Sequence, residues 1–520
     1  MAATLPLTLL APITLLIAVA FGVGRQGRRP RFLPWISEIS ALMALLLSIA
    51  GIWQFSQHGP SDFAVLQGIM LIKFRVDSVS VVMVAIVAFI AWIVMRYSRS
   101  YLDGERNEGK FHCLMLTTLA AALIFVQSGS LAVLILSTIG VGFGLKRLLL
   151  FYPERPEAQR AALKFAYVWH GGDAALVLAG VVLFVAFGTS DITVLAAHAE
   201  SGHPFALNLA VALLVISASF KTALFPLHGW LTEVMEAPTP VSALLHAGII
   251  NSGGVMLITF ANLIQQSPGV MALLVMVGGF TAIFGAAVML TQAAIKTALA
   301  WSTVSQMGFM MLQCGLGLWP LALLHIVAHS LYKAHAFLSA GGAIAAVAEL
   351  RRPGPVAVPS LMAVLRSFAL AIVLYAAIAV VFTSLAGYKG AQSLTLGAIL
   401  IFGVAYLVAQ GLADTAPKEL TRRTVLASVA VAVAYFFFQE IAVRIWGAAL
   451  PPAPFPGPLE WALIVLALIS FGLIALAQAL FPLWAHHPAT TGLRVHIANG
   501  LYLNALLDKA LGGFRAPRSD

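Results

Sequence analysis

The chain has 520 residues, of which 61% are hydrophobic and 10% are charged, and its formal net charge is +10. Soluble domains are roughly 45–50% apolar and about 25% charged, so this composition excludes a single water-soluble globule. The two cysteines, Cys113 and Cys314, both lie in apolar stretches, which argues against a zinc or iron–sulfur site built on paired cysteines. We expect no cofactor and no metal site in this chain.

Apolar stretches of about twenty residues recur from end to end, and each is long enough to cross a bilayer as a helix. The first begins at Leu5 and has no Lys or Arg before it, so we interpret it as a true span and not as a cleavable signal peptide. The predicted fold class is an all-α polytopic membrane protein with about fifteen transmembrane helices. Their predicted centres lie near residues 14, 44, 87, 119, 140, 174, 217, 252, 280, 308, 333, 373, 404, 435 and 470.

The basic residues predict the orientation of the chain, because cytoplasmic loops of membrane proteins carry an excess of Lys and Arg. Alternate connections hold most of the basic residues, whereas the other connections hold only Lys73, Arg75 and Lys389. This asymmetry predicts a periplasmic N-terminus and a cytoplasmic C-terminus in a cell inner membrane. The net charge therefore reflects topology, and we expect no nucleic-acid partner. The basic set comprises Arg25, Arg28, Arg29, Arg31, Arg96, Arg99, Arg106, Lys110, Lys146, Arg147, Arg155, Arg160, Lys164, Lys296, Arg351, Arg352, Arg366, Lys418, Arg422, Arg423, Arg494, Lys509, Arg515 and Arg518.

Three basic residues remain inside apolar spans: Lys221, Lys333 and Arg444. A charge at that depth is costly, and such residues usually face a protein interior or a hydrated path. Arg444 lies near the end of its span, four residues after Glu440, so snorkelling and an ion pair within the helix account for it. The two lysines have no such explanation, and we interpret both as functional.

Lys221 lies five residues before Pro226 in one span. Proline removes a backbone donor and clashes with the preceding turn, so the sequence predicts a broken helix here, and broken helices in membranes line cavities. A desolvated lysine can bind and release a proton near neutral pH. Asp173, an acid inside the sixth span, is the predicted intramembrane partner of Lys221.

A second group of titratable residues follows in one later span. His325, His329 and Lys333 are spaced by four, so their side chains lie along one face of a helix and could pass protons through intervening water. A single buried histidine is more often a satisfied core residue, but three titratable groups on one stripe favour a path. His335 points away from this stripe, and its role stays open.

The connection between these two groups contains two acids, Glu233 and Glu236, and two prolines, Pro238 and Pro240. We predict a tight connection on the cytoplasmic side, with His246 on the inner face of the next span. The two glutamates could collect protons at the mouth of the path, or they could be solvated loop charges. The sequence leaves these two interpretations open.

Three stretches resemble the antiporter-like subunits that respiratory complex I shares with Mrp cation/proton antiporters. They are residues 221–246 (KTALFPLHGWLTEVMEAPTPVSALLH), residues 296–308 (KTALAWSTVSQMG) and residues 325–333 (HIVAHSLYK). The resemblance implies two inverted five-helix repeats and a hydrated axis of buried lysines, histidines and an acid. By position it adds Lys296 to the predicted proton path. The full predicted path is then Asp173, Lys221, His246, Lys296, His325, His329 and Lys333.

The same resemblance implies a division of the chain into five parts. N-terminal helices over residues 1–100 precede a first repeat over 101–265 and a second, degenerate repeat over 266–415. C-terminal helices over 416–482 and a cytoplasmic amphipathic tail over 483–520 complete the chain.

The chain also departs from the family pattern. In the fifth helix, where the family has an acid for the central lysine, residues 136–142 read LSTIGVG, and Ala294 replaces an acid before Lys296. The second broken helix is not recognisable in residues 382–390 (FTSLAGYKG), where Lys389 is a weak substitute for the expected lysine.

As a divergent member of this family, shortened after the eleventh helix and ending in the stretch 494–508 (RVHIANGLYLNALLD), the chain looks most like the DabB-type membrane subunits of inorganic-carbon accumulation complexes. The resemblance implies a hetero-complex with a soluble cytoplasmic partner, a DabA-like zinc protein that resembles a β-carbonic anhydrase. The composition of the tail suits either a docking segment or an interfacial amphipathic helix. Its relevant residues are Trp484, His486, His487, Arg494 and Tyr502.

The leading hypothesis is a proton-conducting or sodium-conducting subunit that couples an ion gradient to CO2/bicarbonate uptake by that partner. An alternative assigns the same fold to a Mrp-type or complex I-like cation/proton antiporter subunit. A third hypothesis is a membrane anchor with a vestigial path, because the acid of the fifth helix is missing. We expect no enzymatic activity, because the sequence has no nucleotide-binding loop, metal-ligand cluster or activated nucleophile.

Overall fold

The computed structural model describes residues 5–66, 68, 71–197, 204–340, 361–387, 390–411, 418–480 and 487–510. Helices dominate, and each predicted span centre lies within a helix. Twelve of the described helices are long and apolar enough to cross a membrane, and two shorter apolar helices cover Leu7–Gly22 and Ala391–Gly403. The polytopic helical fold is confirmed, whereas the count of about fifteen spans stays a prediction.

The first part of the chain contains six long helices and a β-hairpin between the second and the third. A 3-10 helix, Leu7–Leu9, leads into the first of them. The elements are α1 (Leu10–Gly22), α2 (Leu33–His58), β1 (Ser61–Leu66), β2 (Ile72–Val76), α3 (Ser78–Tyr101), α4 (Glu108–Val126), α5 (Leu131–Leu149) and α6 (Pro156–Phe187).

The central part contains long helices together with several short helical segments at two interruptions. Its 3-10 helices are Val234–Glu236 and Ile249–Asn251. The α-helices are α7 (Ile192–Ala197), α8 (Pro204–Lys221), α9 (Gly229–Thr232), α10 (Thr239–Ala247), α11 (Ser252–Thr259), α12 (Ala261–Ile264), α13 (Pro268–Met289), α14 (Ile295–Gly315) and α15 (Trp319–Ala340).

The C-terminal part has four long helices and a tail of short ones. The predicted boundary at 265/266 lies between α12 and α13, while those at 415/416 and 482/483 fall outside the described residues. Two 3-10 helices, Pro488–Thr490 and Gly500–Tyr502, precede the two tail helices. The α-helices are α16 (Leu361–Ala386), α17 (Ala391–Gly411), α18 (Lys418–Trp446), α19 (Pro458–Ala479), α20 (Thr491–Ala498) and α21 (Leu503–Ala510).

The β-hairpin is a feature that the sequence analysis missed, because it predicted helices alone. Its strands are antiparallel, with Ser61 opposite Val76. On β2, Lys73 Nζ lies 2.6 Å from Asp62 Oδ2 and 2.8 Å from Asp191 Oδ2. The lysine therefore ties the hairpin to the connection that follows α6.

Two ends of the helix bundle can be distinguished by the connections that meet there. At the first end, Arg29 pairs with Asp103 at 3.2 Å, so the connections after α1 and after α3 lie together. We call this the basic end, since most described loop arginines and lysines belong to its connections. At the other end, the hairpin end, Trp446 Nε1 donates to Ser78 O at 3.1 Å. Helix α6 runs from the basic end to the hairpin end.

Local signals in the sequence define where several helices begin and end. Asp77 caps α3 by accepting hydrogen bonds from the amides of Val79 and Ser80, and the Ser80 hydroxyl accepts in return from the Asp77 amide. Helix α6 ends where Gly188 adopts a left-handed conformation with φ +66°. These caps satisfy amides and carbonyls that a helix end leaves without partners.

Helices α13 and α14 pack with their backbones in close approach, which fixes the position of α14. A Cβ on Gly278 would lie 2.6 Å from the amide nitrogen of Leu312, and a Cβ on Gly308 would lie 2.5 Å from that of Ala282. No side chain larger than hydrogen fits at either position, because real Cβ contacts of that length do not occur. The face of α14 that points away from α13 contacts α10 through Thr303 and α15 through Ser302.

Candidate functional site

Helix α8 ends at Lys221, and the chain is not α-helical again until α9 begins at Gly229. Pro226 lies in this interruption, so the predicted broken helix is confirmed. Trp230 Nε1 donates to Phe220 O at 3.2 Å and satisfies one carbonyl at the helix end. The other carbonyls of the last turn make this end of α8 electronegative, which favours an ammonium group at Lys221.

Lys221 contacts Asp173 of α6, the partner that the sequence analysis predicted. Nζ lies 2.6 Å from Asp173 Oδ1, and the two side chains are 1% and 7% exposed. The second carboxylate oxygen, Oδ2, lies 3.1 Å from His170 Nδ1. The ammonium also lies 4.3 Å from the ring centre of Trp169, an arrangement typical of a cation–π contact. A buried ion pair with additional hydrogen bonds can hold a charge inside a membrane protein.

Helix α5, which lacks the family's acid, instead makes room for Trp169. A Cβ on Gly142 would lie 2.3 Å from the indole ring, so only glycine allows the ring to pack there. Trp169 Nε1 donates to Thr138 O at 3.3 Å. The indole thus lies between α5 and Lys221, and the carboxylate for this lysine comes from α6.

A second interruption lies between α10 and α11, where Gly248 and a 3-10 turn over Ile249–Asn251 separate the two helices. The sequence analysis did not predict this break. His246 lies buried just before it, with Nδ1 3.1 Å from Thr303 Oγ1 and its ring stacked on Phe337 at 4.1 Å between centres. Both breaks therefore occur next to a buried titratable side chain.

Lys333 of α15 is fully buried against α14. Nζ donates to Ser302 Oγ at 2.7 Å and to Leu299 O at 3.1 Å. The Thr303 hydroxyl donates to the same Leu299 carbonyl at 3.0 Å and therefore accepts from His246, whose Nδ1 carries the proton. The Leu299 carbonyl and the Thr303 hydroxyl, both on α14, thus connect Lys333 to His246 through hydrogen bonds.

His325 and His329 continue this row along α15. His325 Nδ1 donates to Gln313 Oε1 at 2.9 Å, and the two imidazole rings are 6.1 Å apart between centres. Both nitrogens of His329 and Nε2 of His325 and of His246 are buried without a partner among the described protein groups. Buried polar nitrogens are normally satisfied by ordered water when protein partners are lacking, so this row has the character of a hydrated path.

A cavity of about 350 Å³ opens beside His325 and Gln313. Residues of α14, α15, α17 and α18 line it, including Gln306, Tyr435 and Phe438. The cavity connects His325, the end of the histidine row that lies away from Lys333, with the side of the helix bundle.

Lys296 lies at the basic end, near the start of α14 and outside the buried row. Nζ lies 3.5 Å from Thr239 Oγ1, and the residue is half-buried. Thr239 in turn contacts the hydroxyl of Tyr101 at 3.3 Å. The structure therefore positions Lys296 where the basic end meets α10, which carries His246.

Glu233 lies in an ionic network with α6 and the tail. Lys164 Nζ lies 3.0 Å from Glu233 Oε1 and 2.6 Å from Asp508 Oδ1, and Arg160 lies 2.5 Å from Asp508 Oδ2. Asn504 hydrogen-bonds both Lys164 and Glu233. Helix α21 of the tail therefore packs against the basic end of the broken helix.

Glu236 pairs with Arg155 at 2.9 Å, and both side chains are partly exposed. Arg444, predicted to snorkel, pairs with Glu440 at 3.1 Å and is 76% exposed. Of the tail residues singled out in the sequence, Trp484 and His486 lie outside the described residues.

The structure thus brings the predicted residues into two clusters. The first cluster is Asp173 with Lys221, and the second is His246, His325, His329 and Lys333. Among the described residues no direct hydrogen bond joins the two clusters. The sequence analysis missed the residues that support them: His170, Trp169, Ser302, Thr303 and Gln313.

Helix α16 runs without interruption over Leu361–Ala386, and Lys389 lies outside the described residues. Across the parts of the chain that are described, no three His, Cys, Asp or Glu side chains cluster in a way that could hold a metal ion.

Two family models match the chain. The NADH:quinone oxidoreductase/Mrp antiporter transmembrane family matches residues 128–388, and the N-terminal family of NADH-ubiquinone oxidoreductase (complex I) chain 5 matches residues 70–112. The first match covers both clusters.

Curated relatives include two described as probable inorganic carbon transporter subunits. DabB2 of Halothiobacillus neapolitanus is 34% identical over 537 residues, which cover 97% of this chain and 93% of the relative. DabB of Hydrogenovibrio crunogenus is 43% identical over 272 residues, which cover 52% of each chain.

Solved structures show the same fold. A chain of the Mrp complex from Dietzia sp. has a TM-score of 0.58 at 22% identity, over 97% of this chain and 58% of that chain. A chain of the membrane-bound sulfane sulfur reductase, an archaeal respiratory complex, has a TM-score of 0.60 at 16% identity, over 96% and 99%. The chain belongs to the complex I/Mrp antiporter-like family of membrane subunits, in the group that contains the DabB inorganic carbon transporter subunits.

Proposed function

We propose that this protein is a proton-translocating or sodium-translocating membrane subunit that couples an ion gradient to inorganic carbon uptake. In this proposal a soluble DabA-like zinc protein binds at the basic end, which faces the cytoplasm of a cell whose inner membrane holds the chain. The N-terminus is then periplasmic and the C-terminus cytoplasmic. Energy released by ion flow through this subunit drives the conversion of CO2 to bicarbonate by the partner.

The observation that carries the proposal is the buried pair of Lys221 and Asp173. Both side chains are almost completely shielded, and the lysine ends a broken helix. Packing alone does not require two charged groups at this depth, because apolar residues of the same volume fill such a site at no net cost. A titratable pair at a helix break is instead suited to binding and releasing a proton.

The second cluster supplies further groups in which a proton could be held. His246 and Lys333 are joined through Thr303 and the Leu299 carbonyl, and His325 and His329 extend the row towards a cavity. In the proposal, water beside the unpaired imidazole nitrogens connects these groups. Lys296, Glu233 and Glu236 lie at the basic end, where protons would enter or leave.

The proposal is tested by a double variant, Lys221→Met with Asp173→Leu. Removing both charges leaves no uncompensated buried ion, so the complex should assemble with stability close to that of the wild type. Gradient-dependent uptake of inorganic carbon should fall to background, because the relay group is lost. The measurements are uptake by cells expressing the complex and the amount of partner that co-purifies with a tagged form of this chain.

The matched control replaces an ion pair that lies on the surface of a span. Arg444→Met with Glu440→Leu removes the same kinds of charge from a pair whose arginine is exposed, and it should leave uptake unchanged. Normal uptake by an assembled Lys221/Asp173 double variant would refute the proposal and favour the anchor hypothesis. Failure of a zinc protein to co-purify with the tagged wild-type chain would refute the partnership.

The alternative is a Mrp-type or complex I-like antiporter subunit, and the fold shared with the Mrp complex favours it. The two functions differ in what ion flow drives. An antiporter should exchange sodium for protons in vesicles without a zinc partner, whereas the proposed carbon-uptake subunit should support inorganic carbon uptake only with that partner.

A further inference from the structure

Asp173 has a polar contact on each of its carboxylate oxygens. Oδ1 lies 2.6 Å from Lys221 Nζ, and Oδ2 lies 3.1 Å from Nδ1 of His170, one turn earlier on α6. A carboxylate only accepts hydrogen bonds, so Nδ1 of His170 carries a proton in this contact and Nε2 faces away from it. Lys221, Asp173 and His170 therefore form one continuous hydrogen-bonded chain.

Exposure increases in steps along this chain. The side chain of Lys221 is 1% exposed, that of Asp173 is 7% exposed and that of His170 is 50% exposed. Among the described residues, Asp173 is the one hydrogen-bond acceptor of the Lys221 ammonium. The chain thus leads from the buried lysine to the surface of the helix bundle.

The surroundings of His170 set it apart from the rest of α6. From His170 towards the hairpin end, the other exposed side chains of this helix are apolar: Ala174, Val177, Leu178, Val181, Phe184 and Val185. An imidazole on such a face is unfavourable in lipid, and Asp173 already has Lys221 as its counter-charge. Charge compensation therefore gives no reason for a histidine at this position.

His170 also lies nearer to the basic end than the pair it contacts. It follows Lys164 by six residues, which is about 9 Å along an α-helix, and Asp173 lies almost one turn further. The chain therefore leads outwards and towards the end where the ionic network of Lys164 and Glu233 lies.

We infer that His170 is a proton-relay residue through which the buried pair of Lys221 and Asp173 exchanges protons with the surface of α6. The inference rests on the proposed function, and it adds a named group at the outer end of the first cluster. The inference also accounts for the missing acid of α5, since the groups that exchange protons with Lys221, Asp173 and His170, both lie on α6.

Each transfer in the relay moves one proton between neighbouring groups. After Lys221 has passed a proton onwards, the Asp173 carboxylate takes the Nδ1 proton of His170 while Nε2 of the same imidazole takes a proton from hydronium at the surface. The Asp173 carboxyl group then protonates the neutral amine of Lys221, which restores the ion pair, and transfer of the imidazole proton from Nε2 back to Nδ1 through water returns His170 to its starting tautomer. The reverse order carries a proton outwards.

The test uses the whole complex with His170→Ala, His170→Gln and a matched control, His335→Ala. His335 is an exposed histidine of α15 with no hydrogen bond among the described residues. We expect His170→Ala to lower ion-driven uptake by about tenfold or more, in line with the loss of a positioned proton-transfer group. His170→Gln keeps a hydrogen-bonding amide but has no nitrogen that binds and releases a proton. The complex with this variant should therefore assemble normally and show the same loss of ion-driven uptake as His170→Ala.

Imidazole added to the medium separates a relay from a structural contact. Added imidazole should restore uptake by His170→Ala, because a free imidazole can occupy the half-exposed site. It should not restore uptake by Asp173→Asn, and it should not change uptake by the wild type. Wild-type uptake by His170→Gln, or no recovery of His170→Ala with imidazole while the complex is assembled, would overturn the inference. The proposed function would survive that result, because it fails only if the Lys221/Asp173 double variant still transports.

Discussion

The two buried lysines lie in opposite electrostatic settings. Lys221 ends a broken helix and contacts a carboxylate at 2.6 Å, whereas Lys333 lies inside the unbroken α15 and donates to a hydroxyl and a carbonyl. Among the described residues no carboxylate lies within ion-pair distance of Lys333. The first cluster therefore carries its own counter-charge, and the second does not.

The two lysines differ in their need for nearby water. A paired charge is stabilised by its partner, while an uncompensated buried ammonium costs several kcal/mol unless polar groups or water offset the loss of solvation. The second cluster has unpaired imidazole nitrogens, which suit a hydrated group, whereas the cavity of about 350 Å³ beside it has a mainly apolar lining. The two lysines should consequently respond differently to the loss of their charge.

The largest expected effect is on stability, and it distinguishes the two settings. Lys221→Met leaves the buried Asp173 carboxylate without its ammonium partner and with only the contact to His170, which should lower the free energy of unfolding by about 3 kcal/mol. Lys333→Met leaves no buried charge behind, so it should change that free energy by less than about 1 kcal/mol. Thermal unfolding of the purified complex in detergent measures both. Equal destabilisation by the two variants would mean that the two lysines do not differ in charge compensation.

The next effect is on transport through the second cluster. Lys333→Arg keeps a positive charge and hydrogen-bond donors, but a guanidinium does not release its proton. We expect uptake to fall by about 100-fold in a complex that still contains its partner. Lys110→Arg, at an exposed position in the first turn of α4, serves as the control and should transport normally. A Lys333→Arg variant with wild-type uptake would show that Lys333 does not exchange its proton.

A smaller effect is expected where α14 connects Lys333 to His246. Thr303→Val is nearly isosteric, but it removes the hydroxyl that bridges the Leu299 carbonyl and His246 Nδ1. Leaving a buried donor unpaired costs about 1–3 kcal/mol, so uptake should fall by roughly tenfold with normal assembly. Thr117→Val removes a hydroxyl whose hydrogen bond, among the described residues, stays within α4, and it should have little effect. Similar uptake by the two variants would exclude a role for the bridge.

Much of the site could be predicted because charge in an apolar span is rare. Lys221, Lys333 and Asp173 stand out in the sequence for that reason, and the contact between Asp173 and Lys221 follows from there being an acid in a neighbouring span. Pro226 predicts the first break through a local steric rule. These features depend on residue type and depth alone.

The parts that were missed depend on packing between distant residues. Trp169 lies over Lys221 because Gly142 of another helix leaves space for its ring, and no local pattern reveals that. The break after His246 has glycine as its only local signal, and a glycine in an apolar helix is common in membranes. The tail contact of Asp508 with Lys164 joins residues more than three hundred positions apart. The hairpin was missed because its strands are short and half-exposed.

The smallest effect is expected from a third lysine, which is paired but lies away from both clusters. Burial lowers the pKa of Lys73, but the hydrogen bonds and charges of Asp191 and Asp62 raise it more, so the pKa lies above its ordinary value of 10.5. A group whose pKa is raised on folding stabilises the protein fully below its unfolded pKa and loses that contribution as pH rises through the folded pKa.

Lys73→Met should therefore lower the free energy of unfolding by about 1 kcal/mol, since Asp62 is partly exposed, and this loss should be constant from about pH 6 to 9. Uptake should stay at the wild-type level, because the lysine fastens the hairpin and takes no part in either cluster. Thermal unfolding across that pH range and uptake by the same cells test both statements. A fall in uptake without a change in stability would mean that the hairpin end contributes to the ion path, and the contrast between paired and unpaired lysines would then extend to three sites.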